Sequence, residues 1–133
     1  MPGFAILSPQ DIAEATIMDY KAQLIKDQFK ACRRLLTALG DESRQQIITV
    51  LADADCGSAG MQVGDITEQT RLSRPAVSHH LKILYDAEVV GMTKQATKHF
   101  YYLAFGGEWR TLVSLVNNIE QMLVQCAREG GLE

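Results

Sequence analysis

At 133 residues, with 47% hydrophobic, 22% charged and 7% aromatic side chains, the chain has the composition of one soluble globular domain, not a tail or a fibre. A domain of this size buries roughly two-thirds of the surface its unfolded chain exposes, which is enough for a core without disulfides or a structural metal. Net charge is -3, but it is unevenly spread: Arg71, Arg74, Lys82, Lys94 and Lys98 face only Asp86 and Glu88 between residues 71 and 102, leaving that segment at +3 and the rest at -6. A basic segment inside an acidic chain is the distribution expected of a localised phosphate-facing surface.

Other classes are excluded early. Apolar runs such as Ile47-Ile48 and Leu112-Val113 fall far short of the ~20 residues that a membrane span requires, and Met1-Pro2-Gly3-Phe4 lacks a basic leader region. The expected location is therefore cytoplasmic, with no membrane partner. Cys32, Cys56 and Cys126 are an odd, scattered set with no CxxC, which argues against a disulfide framework and against a zinc knuckle.

In chain order, Ser8-Pro9-Gln10-Asp11 reads as a helix start, with Ser8 as cap, Pro9 in the first helical position and Asp11 in the first turn. Met18, Ala22, Ile25, Phe29, Cys32, Leu36 and Leu39 then recur at alternating spacings of four and three, the stripe of a helix–helix seam over residues 16–39. A kink or break is expected near Ala15-Thr16, which sets residues 1–15 apart as an extension, and Gly40 ends the helix. Asp41-Glu42-Ser43 begins a second helix that buries Ile47, Ile48 and Leu51 and runs out in the small-residue loop 53–60.

A short third helix fits Val63 to Thr70, and Leu72-Ser73-Arg74-Pro75 restarts the chain with Ser73 as N-cap of a fourth, whose core stripe is Val77, Leu81 and Leu84. From Val89 the period becomes strand-like: residues 89–94 and 98–103 flank a polar tip at Gln95-Ala96-Thr97, forming a β-hairpin. A last helix over residues 108–129 carries Trp109, Leu112, Val116, Ile119, Leu123 and Cys126, a second seam like the first. Two such seams point to a homodimer joined through the first and last helices, although packing of those helices within one chain would use the same residues.

Residues 63–87 thus have the form of a helix-turn-helix, and the hairpin over 89–103 is its wing. The fold class is mainly α with a β-hairpin wing, a single winged helix-turn-helix domain over residues 1–133. The stretch Ala38-Leu39-Gly40-Asp41-Glu42-Ser43-Arg44-Gln45-Gln46-Ile47-Ile48 resembles the "ALaDptRlrIL" signature of the arsenical-resistance-repressor (ArsR) family. Leu72-Ser73-Arg74-Pro75-Ala76-Val77-Ser78-His79-His80-Leu81-Lys82-Ile83-Leu84 resembles that family's "LsqstvShHLkvL" recognition helix, and the likeness extends over residues 30–105. It implies a transcriptional repressor that binds operator DNA as a homodimer, each recognition helix in a major groove. No Gly-rich phosphate loop, paired carboxylates in a predicted cleft or nucleophile beside a base can be assembled from these residues, so no enzymatic activity and no cofactor are expected.

With Val77, Leu81 and Leu84 inward, the helical period turns Pro75, His79 and Lys82 outward, flanked by Ala76 and Ser78. Ser73 and Arg74 lie at the helix N-terminus, where backbone N–H groups favour phosphate, and Arg74 has the geometry to read guanine or clamp a phosphate. Lys82, Lys94 and Lys98, with Gln95 and Thr97 at the wing tip, complete the expected DNA-binding set, the lysines as backbone contacts. Where the family often carries glycine, in the turn, after the fourth helix and at the wing tip, this chain has Arg71, Glu88 and Ala96, so altered turns are expected there. Thr97 also stands where a wing arginine is common.

Many members of that family release DNA when metal binds at a cysteine-rich third helix or at a His/Asp/Glu set on the last helix. Here Met61-Gln62-Val63-Gly64-Asp65-Ile66 holds no cysteine and residues 109–129 hold no histidine, so no metal site is expected. Cys32 and Cys126 read as small hydrophobes on their seams, with a thiol- or persulfide-responsive pair as the alternative. His80, on the flank of the core stripe, is expected to be hydrogen-bonded and structural. The rival to DNA binding is a protein-docking winged helix, which has no need of clustered cations; the effector, if any, stays open.

Overall fold

The structure, a computed structural model, describes residues 8–54 and 59–130, the side chains of 129 and 130 excepted. Its elements are α1 (Pro9–Ala31), α2 (Arg33–Leu39), α3 (Glu42–Asp53), α4 (Val63–Thr70), α5 (Arg74–Asp86), β1 (Val90–Gln95), β2 (Lys98–Leu103) and α6 (Trp109–Gly130). They fall into two units, Cys32–Arg110 and the pair made of α1 with α6 from Thr111 onward. Residues 1–7 and Cys56 lie outside the described residues.

In the first of these units the core is built from Leu35, Ala38, Ile47, Leu51, Ile66, Val77, Leu81, Leu84, Val89 and Val90, all buried. The starts of α3 and α5 have a visible chemical cause. Asp41 caps α3 by accepting the Arg44 N–H at 3.0 Å, and Ser73 caps α5 by accepting the Ala76 N–H at 3.2 Å. Pro75 sits in the first turn of α5, where its missing N–H costs nothing. β1 and β2 pair antiparallel in the register Val90↔Leu103 to Gln95↔Lys98, so Ala96-Thr97 is a two-residue loop. Met61 pairs with Tyr101 on the outer side of β2 through two 2.8 Å backbone hydrogen bonds, a third, one-residue strand that period-based reading misses.

The expected break near Ala15-Thr16 is absent: α1 runs unbroken from Pro9, with the Thr16 hydroxyl donating to the Ile12 carbonyl at 2.8 Å and so staying within the helix. The extension assigned to residues 1–15 therefore contributes its second half to α1. The break falls at Cys32, whose φ of -107° and ψ of 22° leave the helical region. Because α2 restarts there, the inward residues become Leu35 and Ala38, and Leu36 and Leu39 are only half-buried. The seam drawn from Met18 to Leu39 is thus two stripes on two helices.

In the other unit α1 and α6 lie side by side. Both ends of the Gln28 amide are engaged: its Nε2 donates to Ser114 Oγ at 2.8 Å and its Oε1 accepts from Asn118 Nδ2 at 2.9 Å. Lys21 faces Glu120, Val124 and Arg128 across a groove, so the two helices run antiparallel. Leu115 is buried, yet Ile12, Ile17, Tyr20 and Phe29 on α1 and Val113, Val116, Leu123 and Val124 on α6 remain exposed.

Candidate nucleic-acid interface

α4, the turn 71–73 and α5 form the helix-turn-helix, and its turn is fixed by its own hydrogen bonds. Thr70 Oγ1 donates to the Ile66 carbonyl at 2.8 Å and accepts the Leu72 N–H at 3.5 Å, while Arg71 takes the left-handed conformation, φ 60°, that ends α4. Left-handed backbone also occurs at Glu88 (φ 60°) and Ala96 (φ 55°). Three positions without glycine therefore take the left-handed conformation, and the side chains there carry the conformational cost.

Of the expected DNA-facing residues, Ser73, Arg74, Pro75, Ser78, His79 and Lys82 on α5 are exposed and Ala76 is half-buried, small enough to leave the helix surface open. Val77, Leu81 and Leu84 point inward as the stripe predicts. Lys94, Gln95, Thr97 and Lys98 are exposed around the hairpin loop. α5 packs against β1, which ties the two groups to one scaffold. Arg71, Arg74, Lys82, Lys94 and Lys98 make no hydrogen bond or ion pair with another described residue, so all five charges are available to a polyanion.

Sequence reasoning missed a residue that ties α3 to both α2 and α5. Arg44 on α3 is buried, with Nε donating to the Ala38 carbonyl at 2.7 Å, Nη2 to the Thr37 carbonyl at 3.0 Å and Nη1 to His80 Nδ1 at 3.3 Å. A guanidinium only donates, so His80 accepts through Nδ1 and carries its proton on Nε2. The hydrogen-bonded role expected of His80 is met by this contact. The His79 and His80 rings stand 5.7 Å apart at 58° to each other, with His79 exposed. The only sequence signal for Arg44 was its place in the signature around Asp41, which says nothing of its partners.

Cys32 is buried, and that burial, helped by the negative charge of Glu108, pushes its thiol above the ordinary cysteine range. Cys126 on α6 is exposed. Among the described residues no three His, Cys, Asp or Glu side chains converge on a common point, and no helix is long and apolar enough to cross a membrane.

Helices packed around a capped recognition helix, followed by an antiparallel hairpin with exposed lysines, define a winged helix-turn-helix DNA-binding module. Residues 41–91 match the bacterial regulatory protein family arsR. The chain is 36% identical over 75 residues to the arsenical resistance operon repressor of Staphylococcus aureus, covering 56% of this chain and 67% of that one. Over 66 residues it is 36% identical to the transcriptional repressor SdpR of Bacillus subtilis, covering 50% and 68%. The structure of HlyU from Vibrio cholerae superposes with a TM-score of 0.51 at 29% identity, covering 68% of this chain and 91% of HlyU. The chain belongs to the arsR family and is a DNA-binding transcriptional regulator of winged helix-turn-helix fold.

Proposed function

We propose that this chain is an operator-binding repressor that works as a homodimer, with the N-terminal half of α5 in the major groove and the wing against the phosphate backbone. The observation that carries this reading is the set of five exposed cations with no hydrogen-bond or ion-pair partner among the described residues, all between residues 71 and 98 of a chain whose net charge is -3. Arg74 reads a base or clamps the adjacent phosphate; Lys82, Lys94 and Lys98 hold the backbone; Ser73, Pro75, Ala76, Ser78 and His79 line the approach, and Gln95 and Thr97 sit at the wing tip. The chain acts by occupying DNA, not by catalysis, and no metal controls its release.

The eight exposed apolar side chains on α1 and α6 support dimerisation, since a helix pair that leaves Leu123 65% and Val116 55% exposed retains a surface suited to a second copy. A signal, where one acts, reaches the protein through this region, and Cys126 is its accessible thiol. The test is a binding titration on the protein's own promoter region and on random duplex at several salt concentrations. Arg74→Ala is expected to cost about 1–3 kcal/mol on the promoter and less on random DNA, whereas Lys94→Ala weakens both alike. Parent-like, salt-independent behaviour of both variants overturns the DNA-facing surface and leaves a protein-docking winged helix.

A further inference from the structure

Among the described residues, four that are not glycine adopt left-handed backbone: Arg71, Glu88, Ala96 and Phe105. Such a conformation costs a side-chain-bearing residue energy that glycine would avoid. Three of the four have an evident occupation. Phe105 packs its ring on Trp109 with centroids 4.6 Å apart. The Glu88 carboxylate lies over Gly107, where an added Cβ would collide with it. Ala96 carries the smallest side chain that a hairpin loop can hold short of glycine.

Arg71 has no such occupation. Its side chain is exposed and makes no hydrogen bond or ion pair with a described residue. Its backbone is nevertheless bracketed by hydrogen bonds, since Thr70 Oγ1 donates to the Ile66 carbonyl at 2.8 Å and accepts the Leu72 N–H at 3.5 Å. It ends α4 two residues before Ser73, the N-cap of α5, so the Cα atoms of Arg71 and Ser73 are at most ~7.6 Å apart. A long cationic side chain on a hydrogen-bonded turn thus stands at the end of α5 that approaches the DNA.

We propose that Arg71 is a phosphate-contacting residue: the strained turn between α4 and α5 holds a guanidinium against the DNA backbone that flanks the groove entered by α5. The inference rests on the operator-binding reading and extends it to a position where the fold itself would be served better by glycine. An arginine suits this task because its planar fork takes two phosphate oxygens at once. Preorganisation on a hydrogen-bonded turn lowers the entropy lost on contact.

The experiment compares Arg71→Gly, Arg71→Asn and Arg71→Lys with the parent on a random-sequence duplex of roughly 30 base pairs, long enough for two half-sites one helical turn apart. Arg71→Gly is expected to raise the melting temperature by a few degrees while weakening DNA binding, an opposition of signs that a purely structural role does not produce. Arg71→Asn, which also tolerates left-handed backbone, loses affinity to the same extent, and Arg71→Lys retains most of it. The parent's advantage over Arg71→Gly should shrink about threefold per lost contact between 50 and 200 mM salt, as a slope of roughly 0.9 per phosphate requires. Parent-like affinity and salt slope in Arg71→Gly, with Lys94→Ala still impaired, refutes the role of Arg71 alone. Parent-like binding in Arg71→Gly, Arg74→Ala and Lys94→Ala together refutes the surface on which both readings rest. Equal losses in Arg71→Lys and Arg71→Gly also overturn the phosphate contact.

Discussion

Replacing Arg44 by alanine removes a buried cation that joins three elements: the last turn of α2 through the Thr37 and Ala38 carbonyls, α3 on which it sits, and α5 through His80. A hydrogen bond from a charged donor is worth about 1.5–3 kcal/mol, so the two carbonyl bonds, at 3.0 and 2.7 Å, represent about 3–6 kcal/mol gross. Two effects reduce that. The guanidinium no longer has to be desolvated, and the Thr37 carbonyl keeps the Gly40 N–H at 3.3 Å. A net loss of about 3 kcal/mol remains, most of it from the Ala38 carbonyl, which loses the Nε–H aimed at it. Urea unfolding with an unchanged m-value is the assay. Arg44→Lys should recover less than half, because one ammonium cannot serve acceptors on three sides. In a double-mutant cycle with His80→Ala the coupling should be about 0.5–1 kcal/mol, modest because the contact is 3.3 Å long. A loss under about 1 kcal/mol for Arg44→Ala, or no coupling with His80, refutes the claim that this side chain ties α3 to α2 and α5.

Asp41 accepts the Arg44 N–H, which holds its carboxyl below the ordinary 3.8, so the stability it contributes is full above that pH and is lost as pH falls through the lower folded value. Asp41→Asn keeps the cap without the titration, and acid unfolding of the variant should therefore be less steep below about pH 4; identical acid limbs would contradict this. Ala96→Gly removes the left-handed penalty at φ 55° and should stabilise the protein by about 0.5–1 kcal/mol, read by thermal melting. Mass spectrometry after iodoacetamide treatment of the native protein should find Cys126 alkylated well before Cys32, whose buried thiol is pushed up and away from thiolate at neutral pH; equal rates would refute this. Phe29→Glu or Leu123→Glu, each placing a charge on the exposed apolar face, should give monomers by sedimentation, and an intact dimer in both variants would move the interface elsewhere.

The helix-turn-helix was legible because its chemistry is local: Ser73 as cap, Pro75 in the first turn, and Val77, Leu81 and Leu84 on one face decide the start and roll of α5 within twelve residues. The hairpin was legible for the same reason, its period of two changing at Val89. The break at Cys32 was not, because apolar spacings of three and four continue through it and neither proline nor glycine marks the spot. Periodicity records which face is apolar, not whether the axis stays straight. Met61 was missed as a strand because a single paired residue has no period, and the partners of Arg44 because they lie on α2 and α5, beyond any local pattern. Arg71, Glu88 and Ala96 mark the opposite case, in which the left-handed turn that a local preference assigns to glycine is held by a residue with a side chain.

The lone Met61–Tyr101 pairing has a mechanical consequence for the wing. Tyr101 also pairs with Met92, so at that level β2 is paired on both of its edges, and the stretch from Phe100 out to the loop projects beyond that pairing. That overhang is about three residues, or ~10 Å, on each strand. By this geometry it is a short cantilever, braced at the root, with Lys94 and Lys98 at its tip. The clamp itself depends on Gly60, since a Cβ there would stand 2.5 Å from the Tyr101 carbonyl oxygen on a backbone with φ 94°. A side chain at Gly60 would loosen the root of the beam, and its effect would be felt at lysines more than thirty positions further along the chain.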